Sequence, residues 1–142
     1  MIIVELGGGL GNQMFQYACG RKLAISNKTE LILDTTFLWK DKLRNYNLNM
    51  FNIKGKKVWY VGKEMLFLKA KLSGKEFVTI NQQGRKFNPK LLKSKGNLYV
   101  KGYWQSEKYF NNIRSFLLKD FDIKGKKKAV ISRMLKKIKK SN

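Results

Sequence analysis

The sequence predicts an α/β fold with a parallel sheet, and three observations near the amino terminus support this. Residues 2–4 (Ile-Ile-Val) are consecutive and β-branched, as in a strand that is covered on both faces. A glycine-rich turn at 7–13 follows, and from Met14 the apolar residues recur with helical spacing. Residues 30–34 then read as a second strand. Strand, turn, helix and strand form a βαβ unit, which implies parallel strands with a right-handed crossover.

Length and composition predict that residues 1–142 form a single α/β domain. A chain of 142 residues has the size of one ordinary domain. Its hydrophobic residues make up 43%, which is enough for a core and argues against a wholly disordered chain.

The charge of the chain leaves two interpretations open. The formal net charge is +22, from 31 Lys and Arg against 9 Asp and Glu, and this favours an anionic partner. One alternative is therefore a basic binding module for nucleic acid or an anionic membrane, with Lys101, Lys108 and an amphipathic tail helix at 126–140 as its contacts. The other is that the lysines form a solvated surface. Aromatic and basic residues alternate too sparsely for an RNA-binding signature, so no specific nucleic acid is predicted.

Cysteine and histidine usage excludes several kinds of chemistry. The single cysteine, Cys19, cannot form an internal disulfide, which favours a reducing, cytoplasmic location, and its neighbours favour core packing. With no histidine, the chain lacks Ser-His-Asp and Cys-His catalysis and has almost no ligands for zinc, so no metal is predicted. The apolar stretch 1–6 is too short to span a bilayer.

Further elements are predicted from local patterns. The first helix should bury one face, and a later helix at 64–72 should bury Met65, Leu68 and Leu72. Strands are predicted at 58–61 and 77–80. The segment 97–104 also predicts a strand, which should end at Gly102. Short helices are predicted at 89–93, capped by Asn88, and after Ser106. The predicted face of the first helix consists of Met14, Tyr17, Ala18, Arg21 and Ile25.

The glycine-rich turn occupies the place where a βαβ unit binds ligands. Glycines there let the backbone approach an anion, and free N–H groups at a helix amino terminus favour phosphate or a sugar nucleotide. The turn is not a P-loop, because no Gly-Lys-Ser/Thr follows, and Asn12 stands where a dinucleotide fingerprint needs its third glycine. A ligand-binding loop and a purely structural turn both remain open.

Two stretches resemble a known enzyme family. Residues 8–18 (Gly-Gly-Leu-Gly-Asn-Gln-Met-Phe-Gln-Tyr-Ala) resemble the opening motif of glycosyltransferase family 11, the α-1,2-fucosyltransferases. Residues 102–110 (Gly-Tyr-Trp-Gln-Ser-Glu-Lys-Tyr-Phe) look like a second segment of that family, and Asp34 after the second strand also fits.

The resemblance implies a fold and an activity. The fold is GT-B, in which two Rossmann-like domains face a cleft, and this chain resembles the amino-terminal domain. The activity is transfer of L-fucose from GDP-fucose to the 2-hydroxyl of a galactoside, with inversion and without metal or other cofactor. The family's His-x-Arg-Arg-x-Asp-Tyr motif, which binds the donor diphosphate, is absent. We therefore expect an amino-terminal half without the donor-binding domain, inactive alone; a non-functional gene remnant is the alternative.

The resemblance also assigns roles within the glycine-rich loop. Gly8, Gly9 and Gly11 are expected to shape a loop that faces the cleft. Asn12 is the candidate catalytic residue, and Gln13 is expected to reach toward the reacting sugar beside it. For Asn12, a helix cap is the alternative.

Three more residues are candidates for the cleft. Trp104 and Gln105 would line the acceptor side, since an apolar ring face suits a sugar, although Trp104 fits core packing equally well. Asp34 could contact the acceptor or act as a base, but a carboxylate that ends a strand more often caps the next helix, and we favour the cap. The predicted location is cytoplasmic, with peripheral contact at the inner face of an anionic membrane.

Overall fold

A five-stranded sheet organises the part of the chain that the structure describes. The computed structural model describes residues 1–84, 86–125 and 129–132. The strand order is β3-β2-β1-β5-β4, and every neighbouring pair is parallel, as predicted. The strands are β1 Ile2–Glu5, β2 Leu31–Asp34, β3 Lys56–Val58, β4 Val78–Asn81 and β5 Leu98–Lys101.

Helices cover both faces of the sheet. The α-helices are α1 Leu10–Ser26, α2 Thr36–Lys40, α3 Tyr60–Leu72 and α4 Arg114–Asp120. Short 3₁₀ turns are found at Leu48–Met50, Pro89–Lys93, Glu107–Tyr109 and Asn111–Ile113. The larger core cluster lies between the sheet and the helices α1 and α4, whereas α3 packs on the opposite face. This arrangement is a Rossmann-like α/β domain.

The central strand β1 is buried on both sides, which explains its run of β-branched residues. Ile2 and Val4 belong to the core cluster on the α1 side, and Ile3 belongs to the cluster on the α3 side. All three have no accessible surface. Alternation of side chains along a strand therefore supplies both layers of the core from one short segment.

The first helix begins four residues earlier than predicted. Gly9 is the N-cap, with extended backbone angles, so the first turn contains residues 10–13. Within the predicted face, Tyr17 and Ala18 are buried, and Met14 and Ile25 are partly buried and pack against the core. Arg21 is also partly buried. Cys19 is fully buried, as predicted, and burial raises the pKa of its thiol. The buried residues of α1 are Gln13, Gln16, Tyr17, Ala18, Cys19, Gly20, Leu23 and Ala24.

The strand predicted at 58–61 was wrong beyond Val58. The strand β3 ends there, Trp59 is the N-cap of α3, and the helix starts at Tyr60. β-Branched and aromatic residues made the segment resemble a strand, but β3 pairs with β2 over only three positions.

The predicted inner face of α3 is also wrong. Met65, Leu68 and Leu72 are exposed, and Leu66 and Phe67 instead pack on the sheet. The ring of Phe67 stacks on Phe77 and meets Tyr99 edge-on, and these contacts fix the rotation of the helix. Periodicity alone did not distinguish the two faces, because both carry large apolar residues.

The remaining predictions were partly confirmed. The strands at 77–80 and 97–104 are found as β4 and β5, and the side chain of Asn88 caps the Pro89–Lys93 turn by accepting a 3.0 Å hydrogen bond from Lys90 N. The helix predicted after Ser106 is instead two 3₁₀ turns followed by α4, without a side-chain cap from Ser106. Most of the predicted tail helix 126–140 lies outside the described residues, of which 129–132 are helical. Within the described ranges, no helix is long and apolar enough to cross a membrane.

Candidate active-site crevice

The two sequence motifs meet at the carboxyl edge of the sheet, where the chain changes direction. The chain passes from β1 outward to β2 and β3, and then crosses to β4 at the other edge. The strand β5 returns to lie between β4 and β1. The loops after β1 and β5 are therefore neighbours at the point where the strand order reverses, which is where open α/β sheets bind ligands.

Gln16 of α1 ties these two loops together. Its carboxamide oxygen accepts a 2.9 Å hydrogen bond from Gly7 N, after β1, and its Nε2 donates a 3.1 Å hydrogen bond to Gly102 O, after β5. The side chain and its contact with Gly7 N are buried, whereas the contact with Gly102 O is partly accessible at the surface. One polar residue of the first motif thus sets the distance between the two motifs.

A second contact between the motifs lies nearer the surface. Gln105 Nε2 donates a 2.7 Å hydrogen bond to Asn12 Oδ1. Asn12 lies in the first turn of α1 rather than at its N-cap, so the alternative that Asn12 caps this helix was wrong. The two carboxamides form a polar pair that is partly accessible from solvent.

The glycines of the loop differ in what surrounds them. Gly8 has a positive φ of 72°, and a Cβ there would lie 2.5 Å from Asn12 Nδ2. At Gly9 and Gly11, a Cβ would meet no other atom within 4 Å. The fold therefore requires glycine at Gly8, whereas Gly9 and Gly11 border open space.

Gln13 lies in the interior, in contrast to its predicted contact with a sugar. Its Nε2 donates 2.9 Å hydrogen bonds to Gly8 O and Asn45 O, and its Oε1 accepts one from Asn47 N at 3.0 Å. The side chain has no accessible surface. Gln13 thus fastens the glycine loop to the segment after α2.

Trp104 is a core residue, which was the alternative to its predicted place in the cleft. It is 1% exposed and meets the ring of Tyr109 edge-on, with 5.5 Å between ring centroids. Its φ is 54°, and its main-chain N–H donates a 2.9 Å hydrogen bond to Gln82 Oε1. This left-handed backbone turns the chain so that Trp104 points inward while Gln105 lies at the surface.

Asp34 lies directly before Thr35, the N-cap residue of α2, so it is not itself the cap that we favoured from the sequence, although its carboxylate binds the first N–H of the helix. Its Oδ1 accepts a 2.9 Å hydrogen bond from Thr36 N, and its Oδ2 accepts one of the same length from Tyr99 OH. Lys63 Nζ lies 3.5 Å from Oδ2. Because Asp34 has no accessible surface, its alternative role as a base or acceptor contact does not fit this geometry.

Glu5 is a candidate that the sequence reasoning missed. Tyr99 OH lies 2.9 Å from Glu5 Oε2 as well as from Asp34, and Lys101 Nζ lies 3.5 Å from Glu5 Oε2. Burial and the two carboxylates raise the pKa of Tyr99, so its hydroxyl keeps its proton and donates to one carboxylate at a time. The signal in the sequence was a charged residue at the carboxyl end of a buried strand.

A small depression lies at the reversal point, and Glu5, Gly7, Gln16 and Gly102 are among the residues that line it. Its volume is about 150 Å³, below the roughly 300 Å³ at which sites for drug-sized ligands begin, and it opens to solvent. Among the described residues, no three His, Cys, Asp or Glu side chains gather as metal ligands. The depression, hereafter the crevice, is lined by Glu5, Gly7, Gln16, Phe37, Gly102 and Tyr103.

Comparison with known proteins supports the part of the resemblance that concerns glycosyl transfer. The chain is 30% identical over 122 residues to an alpha-1,2-colitosyltransferase of Escherichia coli. The match covers 78% of this chain and 41% of the relative, so the chain spans about two fifths of that protein's length. No protein-family profile and no solved structure matches the chain. The chain is therefore similar to part of a glycosyltransferase.

Proposed function

We propose that this chain supplies the acceptor side of an α-1,2-fucosyltransferase, which transfers L-fucose from GDP-fucose to the 2-hydroxyl of a galactoside. The observation that carries this proposal is the Asn12–Gln105 hydrogen bond, because it joins the two motifs of the resemblance at the reversal point of the sheet. A sugar hydroxyl both donates and accepts hydrogen bonds, and carboxamides offer it both kinds of partner.

The amino terminus of α1 supports a polar or anionic ligand beside this pair. The helix has 17 residues, its N-cap Gly9 provides no side-chain cap, and its first turn contains no acidic residue. Its first N–H groups are therefore free of side-chain partners, and the helix dipole favours negative charge there. The diphosphate of a sugar nucleotide, or a sugar hydroxyl, would satisfy these donors.

The open glycines support the same site. Glycine in a helix costs about 1 kcal/mol relative to alanine, yet Gly11 lies in the first turn of α1 with no neighbour that a methyl group would meet. Internal packing therefore does not explain this glycine. A ligand that approaches the backbone closely would explain it.

The proposal also names the transferred sugar, L-fucose. The relative is named for colitose, which is L-fucose without its 3-hydroxyl, and for an α-1,2 linkage. We expect fucose from the resemblance of residues 8–18 and 102–110 to the fucosyltransferase motifs. In the reaction, the acceptor 2-hydroxyl would lose its proton and bond to C1 of the sugar as the bond from C1 to the diphosphate breaks.

Binding of a galactoside by the purified chain tests this proposal. Saturation-transfer NMR with methyl β-galactoside should show binding that weakens about tenfold when Asn12 or Gln105 is changed to Ala. Asn111→Ala is the control, because Asn111 is an exposed amide outside the crevice. Unchanged binding in both the Asn12 and the Gln105 variant would contradict the proposed site. Salt-sensitive binding to random DNA without galactoside binding would instead favour the basic binding module.

Transfer itself is a separate measurement. We expect no turnover from this chain alone, because no histidine is present to supply the diphosphate-binding motif. Release of GDP from GDP-fucose and from GDP-colitose should be followed with a panel of β-galactosides. Release well above background would show that the motif is not needed, and the donor that reacts would identify the sugar.

A further inference from the structure

Exposed aromatic residues are concentrated on the edge of the sheet that carries the crevice. Among the described residues, six Phe, Trp and Tyr side chains are exposed. Five of them lie within five residues after the end of β2, β3 or β5. Only the sixth, Phe116 in α4, lies elsewhere. The five on this edge, hereafter the aromatic edge, are Phe37, Trp39, Trp59, Tyr60 and Tyr103.

The aromatic edge starts inside the crevice. Phe37 and Tyr103 line it, and the ring of Phe37 lies so close to the β1 loop that a Cβ at Gly7 would be 3.0 Å from its Cδ1. Trp39, in the same helix as Phe37, meets Trp59 edge-on, with 6.4 Å between ring centroids. The aromatic side chains therefore extend from the crevice toward β3.

The length of this edge exceeds that of one sugar ring. The strands β5, β1, β2 and β3 are consecutive neighbours in the sheet, and adjacent strands lie about 4.8 Å apart. Three such intervals separate Tyr103 from Trp59, or roughly 15 Å. A ligand that filled this edge would be an extended chain with several units.

The chemistry of the two indoles suits a carbohydrate. Trp39 is 73% exposed and Trp59 is 55% exposed, so both expose apolar rings that the core of this domain does not use. A pyranose ring has an apolar face of C–H groups and a rim of hydroxyls, and an aromatic face covers the former while the hydroxyls stay hydrated.

We infer that Trp39 and Trp59 form a distal subsite for the inner sugar units of an oligosaccharide acceptor whose terminal galactoside occupies the crevice. This inference rests on the proposed function and adds that two residues outside the crevice, Trp39 and Trp59, contact the acceptor. A membrane surface is less well matched. Exposed lysines at 40, 42 and 57 flank the two indoles, but a flat bilayer surface would leave the crevice next to Phe37 unfilled.

Calorimetry with two acceptors of different length tests the distal subsite. Methyl β-galactoside reports on the crevice, and lacto-N-neotetraose, a tetrasaccharide with terminal β-galactose, reports on both sites. The intact chain should bind the tetrasaccharide at least about tenfold more tightly than the monosaccharide. Trp39→Ala and Trp59→Ala should each remove most of this difference and leave the affinity for the monosaccharide unchanged. Phe116→Ala should change neither affinity.

Tryptophan fluorescence gives a second readout from the same titration. Two of the three tryptophans are in the proposed subsite, and the third, Trp104, is buried. The emission of Trp39 and Trp59 should shift to shorter wavelength with the tetrasaccharide and remain unchanged with methyl β-galactoside. A structural effect of either substitution would not produce this dependence on chain length.

The outcomes separate this inference from the proposed function. If both galactosides bind equally, or if the tryptophan variants keep the preference for the tetrasaccharide, the distal subsite is wrong and the proposed function stands. If only cellotetraose binds, through Trp39 and Trp59, the proposed galactoside acceptor is wrong and the inference is overturned with it, because no terminal galactoside occupies the crevice. If no sugar binds, or if vesicles of phosphatidylcholine and phosphatidylglycerol bind through these indoles instead, the inference is overturned.

Discussion

The side chain of Gln105 donates a 2.7 Å hydrogen bond to the carboxamide oxygen of Asn12, which lies 93 residues earlier in the chain. Asn12 belongs to the first turn of α1, and Gln105 follows the left-handed residue Trp104 after β5. The contact exists because β1 and β5 are parallel neighbours, so that the segments after both strands start from the same edge. It places two amides beside the crevice.

Gly8→Ala should destabilise the domain, whereas Gly9→Ala should not. An alanine at Gly8 would adopt a positive φ of 72° and would place its Cβ 2.5 Å from Asn12 Nδ2. The left-handed backbone alone costs about 1–2 kcal/mol of the free energy of unfolding. Gly9 has an extended backbone and open space around it, so it is the matched control. Urea denaturation of both variants measures the difference, and equal stabilities would contradict this account of Gly8.

Gly11→Ala should separate stability from ligand binding. Alanine is favoured over glycine in a helix by about 1 kcal/mol, and no atom lies within 4 Å of the added methyl group. We therefore expect the free energy of unfolding to rise by up to this amount. If the loop faces the ligand, the affinity for methyl β-galactoside should fall at the same time. A more stable variant with undiminished affinity would show that the glycine has no role in binding.

Gln16→Leu should destabilise the link between the two motif loops. The substitution keeps most of the volume but leaves the buried Gly7 N and the partly buried Gly102 O without their partner. An unsatisfied buried polar group costs about 1–3 kcal/mol. Gln105→Leu removes an exposed amide of the same type and should cost less than about 0.5 kcal/mol. Thermal or urea unfolding of the pair provides the test, and similar losses in both would contradict the bridging role of Gln16.

Stability should decline in alkaline solution. Burial raises the pKa of Tyr17, Cys19 and Tyr99 above their ordinary values of 10.0, 9.0 and 10.0. The folded chain therefore keeps protons that the unfolded chain releases, and the free energy of unfolding falls as pH rises through about 9 to 10. Each group contributes a slope of at most about 1.4 kcal/mol per pH unit.

Tyr99→Phe tests the origin of this decline. The variant lacks the hydroxyl that bridges Glu5 and Asp34, so it should be less stable at neutral pH. Above about pH 10 its stability should fall less steeply than that of the unchanged chain, because one raised pKa has been removed. Urea unfolding between about pH 7 and pH 11 gives both slopes. Parallel curves would show that Tyr99 does not contribute to the alkaline decline.

Local sequence was sufficient for the framework of the domain. The run of β-branched residues at 2–4, the glycine turn and the apolar residues at 31–33 predicted a βαβ unit, and β1, α1 and β2 confirm it. Such patterns are informative because a strand that is buried on both faces admits little except large apolar side chains. The patterns at 2–4 and 97–104 also predicted a strand at the start of each motif, and β1 and β5 confirm them.

Tertiary contacts decided which polar and aromatic side chains lie inside. Gln13 and Asp34 are polar residue types, yet both are fully buried. Their hydrogen-bond partners Asn45 and Tyr99 lie 32 and 65 residues away in the sequence, and the fold brings them together. Of the two tryptophans Trp59 and Trp104, only Trp104 is buried in the core. The sequence by itself determined that a glycine-rich turn follows β1 and left open whether this turn binds a ligand. The position of Glu5 in the crevice and the contact between Asn12 and Gln105 were decided by the sheet, since parallel pairing alone brings the ends of distant strands to one edge.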